Sequence, residues 1–489
     1  MSPLILAFVL AQTLPPIEGT IPEAAEFVTL PFEVPSGTAE LHITHETLES
    51  GAIIDWGVEG PRGFRGYGGG NSEAITIGVR ASSRSYLTGD LEPGTWKVYA
   101  GKAKSSSGKP GYRVVVTLRS APTLPDEPQR RPYAAPAALE SGARWYAGDF
   151  HTHSRESGDA KPTLDAMATL AASRGLDFIE LSDHNTSSQL EWMGDAQSRS
   201  SKVLFIPGVE LTTYAGHANG IGATTWVDHR VGFNGVTMSA AAKELVAQGA
   251  VFSINHPVLD LGDACIGCKW SHSLPKESLG AVEIGTGGWD ATGVLFTRQA
   301  IAFWDRVLDQ GLHVAAVGGS DDHQAGVGSM SPIGNPTTMV FATALSVEAI
   351  VEGVRKGRTV VKLQGPGDPM LDLTSGEAKI GDTVAAREAV VTAKVTGGAG
   401  AKLVWVIGGK AEAPIDVSGA SFEATKTIAA PETGETRVRA EVWIDGYPRT
   451  VTSHLWVTQP PPKGCAAAPG LPLVMLALAV VRLRRRVAP

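Results

Sequence analysis

Cysteine, clustered basic residues and long apolar runs are all scarce in this 489-residue sequence. No block of five or more Lys/Arg occurs outside the extreme C-terminus, and 42 Lys+Arg against 50 Asp+Glu leave a formal net charge of -8. Phosphate contacts need a basic face, so a nucleic-acid partner is disfavoured. With 43% hydrophobic residues and a mean hydropathy of +0.01, the chain reads as globular and not as a multi-pass membrane protein. Its length implies about three domains. The three cysteines are Cys265 and Cys268, in a C-x-x-C, and Cys465. An odd number means that at least one serves something other than an intramolecular disulfide.

The apolar runs that do occur lie at the two ends. Leu4–Ala11 (LILAFVLA) resembles a secretory signal with cleavage after Ala11, although no Lys or Arg precedes it. Near the other end, Gly464-Cys465 is followed by AAAPGLPLVMLALAVV and then Arg482, Arg484, Arg485 and Arg486. That run is shorter than the roughly 20 residues of an upright span. The arginines would stay cytoplasmic. This tail resembles the myxobacterial type of C-terminal sorting signal, which implies a sorting protease acting near Cys465, lipid attachment there and display at the cell surface. A simple tail anchor is the alternative. Either way the expectation is an exported protein in the cell envelope, with membrane contact through residues 460–489.

Between the ends, the hydrophobic pattern changes period twice. Residues 1–20 are read as signal and leader. Residues 21–120 alternate in short β-branched and aromatic runs (FVTLPFEV, AELHITHE, GTWKVYAG, YRVVVTL), which predicts a β-sandwich. A Pro/Ala-rich linker covers 121–143. Residues 144–365 alternate short apolar runs with helical patterns that stop at Gly175, Gly249, Gly311 and Gly357. This pattern predicts a parallel sheet with helical crossovers, and about seven strands in that length fit a barrel. Residues 366–459 return to β character, read as an immunoglobulin-like sandwich. The fold class is therefore multidomain α/β plus β, with a central barrel between two β-sandwiches.

The chemistry lies at the predicted strand ends. His151-Thr152-His153 ends the first strand, Asp183-His184 the second and Glu210 the third. His217 starts the fourth, Asn255-His256-Pro257 ends the fifth, and Ser320-Asp321-Asp322-His323 ends the last. In a parallel barrel these ends converge on one face. Residues i and i+2 of a strand point the same way, so His151 can act with His153, and Asp321 with His323. Six of the 12 histidines occupy such positions, too many for ordinary rim residues. Imidazole with carboxylate suits zinc, manganese or iron.

The succession HTHS, SDHN, GVEL, GH, NHP, SDDH resembles the PHP (polymerase and histidinol phosphatase) superfamily of metallohydrolases. GDFHTHS, PGVELTTYAGHANGIG and GGSDDH look most like its carbaryl-hydrolase-like branch. The resemblance covers about 180 residues and implies a distorted (β/α)7 barrel holding two or three divalent ions. It implies that His151, His153, Glu210 and Asp321 hold the first ion. Glu210 would bridge to a second, also held by His217 and His256, and His184 and His323 would hold a third. An acidic residue after the first motif completes the third site. The family's Ser-Asp-Gly is replaced here by Ser157-Gly158-Asp159, which makes Asp159 the candidate and Glu156 the alternative. The expected activity is hydrolysis of a small-molecule ester by metal-activated water, with Glu210 and Asp321 at the reacting centre. A phosphoester is the first reading, and a carboxylic ester, carbamate or amide the second. A surface binding protein with an inert barrel is the reading of another class.

Further expectations attach to single residues. Asp183 is read as fixing an imidazole tautomer. Arg155 is a candidate catalytic contact for a substrate phosphate, or a surface salt bridge. His229-Arg230 and Arg298 are candidates for the site's mouth. Cys265 and Cys268 read as a local disulfide, or as a metal clip with His272. Trp270 and Trp289 are candidates for an apolar substrate wall, or ordinary packing. His42 and His45 read as structural or surface residues.

Overall fold

A computed structural model describes residues 11–287 and 293–461. The apolar N-terminal run up to residue 10, Trp289, and the tail with Cys465 lie outside the described residues. No helix among the described residues is long and apolar enough to cross a membrane.

The first domain is two antiparallel sheets face to face. In the strand Gly111–Arg119, Tyr112, Val114, Val116 and Leu118 turn inward while their neighbours face out, the period of two read from the sequence. They pack with Trp56, Val58, Trp96 and Val98 of the opposing sheet. The sandwich starts earlier than the sequence implied. Ala11–Thr13 and Ile17–Thr20, assigned to the leader, pair with Gly111–Arg119 along one edge. The linker is shorter too, because Glu140 already opens the next strand.

The central domain carries five helices among the described residues: α1 (Leu164–Ser173), α2 (Leu190–Arg199), α3 (Met238–Ala247), α4 (Val294–Leu308) and α5 (Val347–Arg355). The hydroxyls of Thr163, Thr237 and Ser346 cap α1, α3 and α5 by accepting a backbone N–H three residues on. Glu140–Asp149, Phe178–Leu181 and Leu204–Pro207 pair in parallel. Thr337–Leu345 adds antiparallel to Glu140–Asp149, and Thr359–Lys362 follows it. A second sheet runs Glu210–Thr213, Gly216–Ile221, Val251–Ile254, Leu279–Thr286, Ala315–Gly319. Inward residues of both sheets (Tyr146, Phe178, Ile206, Ile221, Val251, Val317) share one core. The sheets meet through single bridges, His184 to Glu210 and Thr152 to Asp322.

The all-parallel expectation is corrected at three strands: Thr337–Leu345 and Thr359–Lys362 at the end of the domain, and Gly216–Ile221 within the second sheet. Gly216–Ile221 follows Glu210–Thr213 after only Tyr214-Ala215, and so short a loop allows only an antiparallel hairpin. The reversal puts the first residues of Gly216–Ile221 beside the last residues of its neighbours, which is why His217 reaches the same rim.

The C-terminal domain packs Met370–Ser375, Glu388–Thr396 and Ser421–Ala429 against a second sheet, around Trp405, Leu403, Val391 and Val438. That second sheet is continuous with the central domain, because Thr359–Lys362 pairs with Tyr447–Thr452.

Candidate metal centre

Asp149 ties the two principal turns of the site together. Its buried carboxylate accepts the backbone N–H of His151 (3.0 Å), Ser320 (3.0 Å) and Gly334 (2.7 Å). The strand Ala315–Gly319 passes so close that a Cβ on Gly319 would stand 2.2 Å from His151 Cβ. A side chain there would push the two motifs apart. His256 (φ 26°) and Asp321 (φ 55°) both adopt left-handed backbone, rare for residues with a side chain and concentrated at functional sites.

Glu210 is the hub. Its Oε1 lies 3.2 Å from His151 Nε2, 3.3 Å from His256 Nε2 and 3.4 Å from His217 Nδ1. Its Oε2 lies 2.7 Å from His184 Nδ1 and 3.8 Å from His153 Nε2. Asp321 Oδ1 is 3.0 Å from His153 Nε2 and 3.3 Å from His151 Nε2. His184 Nε2 and His323 Nε2 are 3.3 Å apart, and Asp159 Oδ2 stands 3.5 Å from the first and 3.6 Å from the second. Four overlapping clusters result: His151, His153 and Asp321; His151, Glu210 and His256; His153, His184 and His323; and His217, His256 and Cys268. All nine residues expected to be ligands are thus together, Asp159 at the exposed edge. Glu156, the alternative to Asp159, is turned away: its Oε2 accepts from Ser85 N–H and the Ser188 hydroxyl.

Burial alone would raise the carboxyls of Glu210 and Asp321, but the surrounding imidazoles hold both well below the usual carboxylate range. Burial, with His323 and His184 alongside, lowers His153 to about 3 and keeps it neutral. His151 Nε2, His153 Nε2 and Asp321 Oδ1 are buried with no hydrogen-bond partner. Buried polar atoms are normally paired. Lone pairs left open on imidazole and carboxylate, converging on one space, fit a divalent cation.

The outer partners fix which ring nitrogen stays free. His151 Nδ1 donates to Glu283 Oε2 (3.1 Å), and Glu283 also takes the His256 backbone N–H (3.2 Å). His256 Nδ1 donates to the Cys268 carbonyl (3.1 Å), and His217 Nε2 to the Ile266 carbonyl (3.2 Å). His153 Nδ1 meets Ser157 Oγ at 3.0 Å. Asn255 donates to Glu210 Oε1 at 2.8 Å. Glu283 and Asp149 had no role in the sequence reading; the only sign was an acidic residue inside an otherwise apolar strand.

Some expected roles are corrected, whereas the local disulfide and the structural reading of His42 and His45 hold. Arg155 does not face the clusters. It lies over Trp192, 5.8 Å from the ring, and lines a separate cavity with Thr163, Asp165 and Arg199. Asp183 touches no imidazole. Its carboxylate accepts the N–H groups of Ser154 and Ser157 and the Ser154 hydroxyl, shaping the turn after the first motif. Arg298 reaches the Gly446 carbonyl in the C-terminal domain, because α4 packs there and not over the site. Arg230 pairs with Asp228 and Glu59, and His229 is enclosed by Tyr67, Tyr99 and Phe27, both inside the joint with the N-terminal domain. His272 bonds Thr213 Oγ1 and so joins no clip. Trp270 is packing, edge-on to Phe252. Cys265 and Cys268 are disulfide-bonded. His42 bonds Thr76, and His45 packs on Trp56, both within the N-terminal domain.

The clusters open into a cleft of about 700 Å³. One wall is the N-terminal domain, with Ile53, Asp55, Tyr67 and Asn71; the other is the loop of Leu259, Leu261 and Ile266. No Arg or Lys is among the described residues that line it.

No family model matches the chain, and no curated protein does. Among solved structures it is similar to a two-domain protein from Bacteroides vulgatus containing a predicted PHP-like metal-dependent phosphoesterase. The identity is 20%, over 67% of this chain and 99% of that one, with a TM-score of 0.37. It is also similar to an amidohydrolase from Chromobacterium violaceum with bound sulfate and no metal. There the identity is 16%, over 38% of this chain and 90% of that one, with a TM-score of 0.27.

Proposed function

We propose that the chain is a metal-dependent hydrolase of the PHP type, with its reacting centre at Glu210 and Asp321. The observation that carries this is the set of unpartnered buried atoms, His151 Nε2, His153 Nε2 and Asp321 Oδ1, that converge beside Glu210. His151, His153 and Asp321 would hold one ion; Glu210, His217 and His256 a second; His184, His323 and Asp159 a third. Zinc, manganese or iron at such a site acidifies water towards neutral pH and offsets charge on the substrate's non-bridging oxygens. The chain's own residues do the rest. Glu283 and the carbonyls of Ile266 and Cys268 hold three imidazoles with their free nitrogens inward. Asp321, whose Oδ1 faces the Nε2 atoms of His151 and His153, would orient the attacking water, and the two cleft walls limit access of bulk solvent.

A small-molecule phosphoester is the substrate the motif order supports. A carboxylic ester, carbamate or amide is the second reading, favoured by a lining without Arg or Lys and by the apolar Ile53, Leu259, Leu261 and Ile266. A phosphomonoester dianion would meet no Arg or Lys among the described lining residues. Comparing p-nitrophenyl phosphate with p-nitrophenyl acetate on the metal-loaded protein separates the two. Metal-free protein that stays inactive after zinc, manganese and iron reconstitution would leave a surface binding protein instead. We further propose, from the apolar N-terminal run and the Arg-flanked C-terminal run of the sequence, that the body of this hydrolase lies outside the cytoplasm; recovery of the intact protein in a cytosolic fraction would contradict that.

A further inference from the structure

The segment Cys265-Ile266-Gly267-Cys268 lies across the imidazoles of His217 and His256. Two of its carbonyls fix both rings, Ile266 O on His217 Nε2 and Cys268 O on His256 Nδ1. Cys268 is 1% exposed, and its Sγ lies with ring nitrogens of His217 and His256 in a group whose ligand atoms are all within 4.8 Å of one another. Cys265, its disulfide partner, is half-buried and lines the cleft.

The segment is held in place by more than the disulfide. Gly267 (φ 77°) fits against the hairpin so closely that a Cβ would stand 2.3 Å from the Thr213 carbonyl oxygen. Trp270 N–H donates to the Pro257 carbonyl (3.1 Å) and Ser271 N–H to the Ala215 carbonyl (2.7 Å). Opening the S–S bond would therefore leave Cys268 beside the two imidazoles.

We propose that this strap is a thiol-gated part of the metal centre: once reduced, Cys268 joins His217 and His256 as a sulfur ligand to a soft divalent ion such as zinc. The proposal rests on the metal-centre reading above. Reduction needs a dithiol. One dithiol sulfur attacks the accessible Cys265 Sγ, and Cys268 Sγ departs with the bonding pair and takes up a proton. The second dithiol sulfur then displaces Cys265, which also takes a proton, and the dithiol leaves as a cyclic disulfide. Two electrons and two protons pass from the dithiol to the protein. On metal binding the Cys268 thiol loses its proton to solvent, because the thiolate is the ligand. Thiolate with two imidazoles selects zinc-like ions over manganese, which prefers oxygen.

Cobalt(II) reports this directly, because a thiolate ligand adds an intense sulfur-to-cobalt charge-transfer band in the near ultraviolet. The full-length protein is loaded with cobalt in four forms: oxidised wild type, wild type reduced and freed of dithiol before loading, Cys265→Ser and Cys268→Ser. The band is expected in reduced wild type and in Cys265→Ser, where Cys268 is always a free thiol. It is expected to be absent from oxidised wild type and from Cys268→Ser. Cobalt bound by the reduced protein without the band overturns the strap proposal and leaves the metal centre standing. No cobalt bound in any form overturns both. Reduced wild type gives the answer if either serine variant does not fold.

Discussion

Five imidazoles stand within 3.8 Å of Glu210, three at its Oε1 and two at its Oε2. Glu210→Ala should therefore lower both the metal content and turnover to background, measured on the same sample; unchanged metal and full activity would remove Glu210 from the centre. Glu283 acts one step out, through His151 and the His256 backbone. Glu283→Gln should weaken metal binding or activity about 10–100-fold, the usual cost of losing an outer partner. Arg155→Ala should leave kcat/KM unchanged, because its side chain faces another cavity. His229 makes a prediction about stability. Burial lowers it from 6.5 to about 3 in the folded chain. The unfolded chain takes up that proton below 6.5 and the folded chain does not, so this contribution is present above 6.5 and is lost as pH falls towards 3. Between about pH 6.5 and 4.5 this histidine should account for about 2 kcal/mol of lost stability. His229→Phe should flatten that part of the denaturation profile; an unaltered profile would show that the ring takes up its proton as readily in the fold as in the unfolded chain. The histidines and carboxylates of the clusters were legible because most of them belong to short motifs at strand ends, with Asp159 in the loop that follows the first. Asp183 was misassigned because sequence gives its neighbours but not the direction in which its carboxylate points.

At the scale of elements, the strands and helices of the central domain follow their hydrophobic period, and the glycines at 175, 249, 311 and 357 all take left-handed backbone at helix ends. Strand direction was not legible in the same way. An alternating β/α pattern implies parallel pairing, yet the two-residue turn Tyr214-Ala215 overrides it, and only that turn brings His217 to the rim. Likewise the pairing of 11–20 with 111–119 depends on contacts some hundred residues apart, which no local pattern records. Closeness of elements gives a test of its own. Gly319→Ala forces a Cβ against His151 and should lose bound metal. Thr163→Ala, which only uncaps α1, should cost about 1 kcal/mol in stability and leave metal content untouched. Equal metal loss in both would mean that the site depends on overall stability and not on this approach of two strands.

The whole molecule matters most at the N-terminal domain, which looked from sequence like a separate module. Arg84 of that domain donates to the Gly158 and Ala160 carbonyls, 3.0 Å each, on either side of Asp159. Ser85 holds both the backbone and the carboxylate of Glu156. The loop that departs from Ser-Asp-Gly is thus clamped from outside its own domain. Arg84→Ala should release Asp159 and lower occupancy by one ion per chain while sparing the other two; full retention would separate Asp159 from the third site. The same domain forms one wall of the cleft, and Tyr214 donates to Asp55 across the joint at 2.7 Å. Such contacts join residues far apart in sequence and were invisible before the fold.

The most direct test is metal content by mass spectrometry on the purified full-length chain, run beside hydrolysis of p-nitrophenyl phosphate and p-nitrophenyl acetate. Two or three divalent ions per chain, with turnover of one substrate that disappears on chelation and returns with metal, is the predicted result. A chain that binds no ion and turns over neither substrate after reconstitution with zinc, manganese and iron would contradict the account.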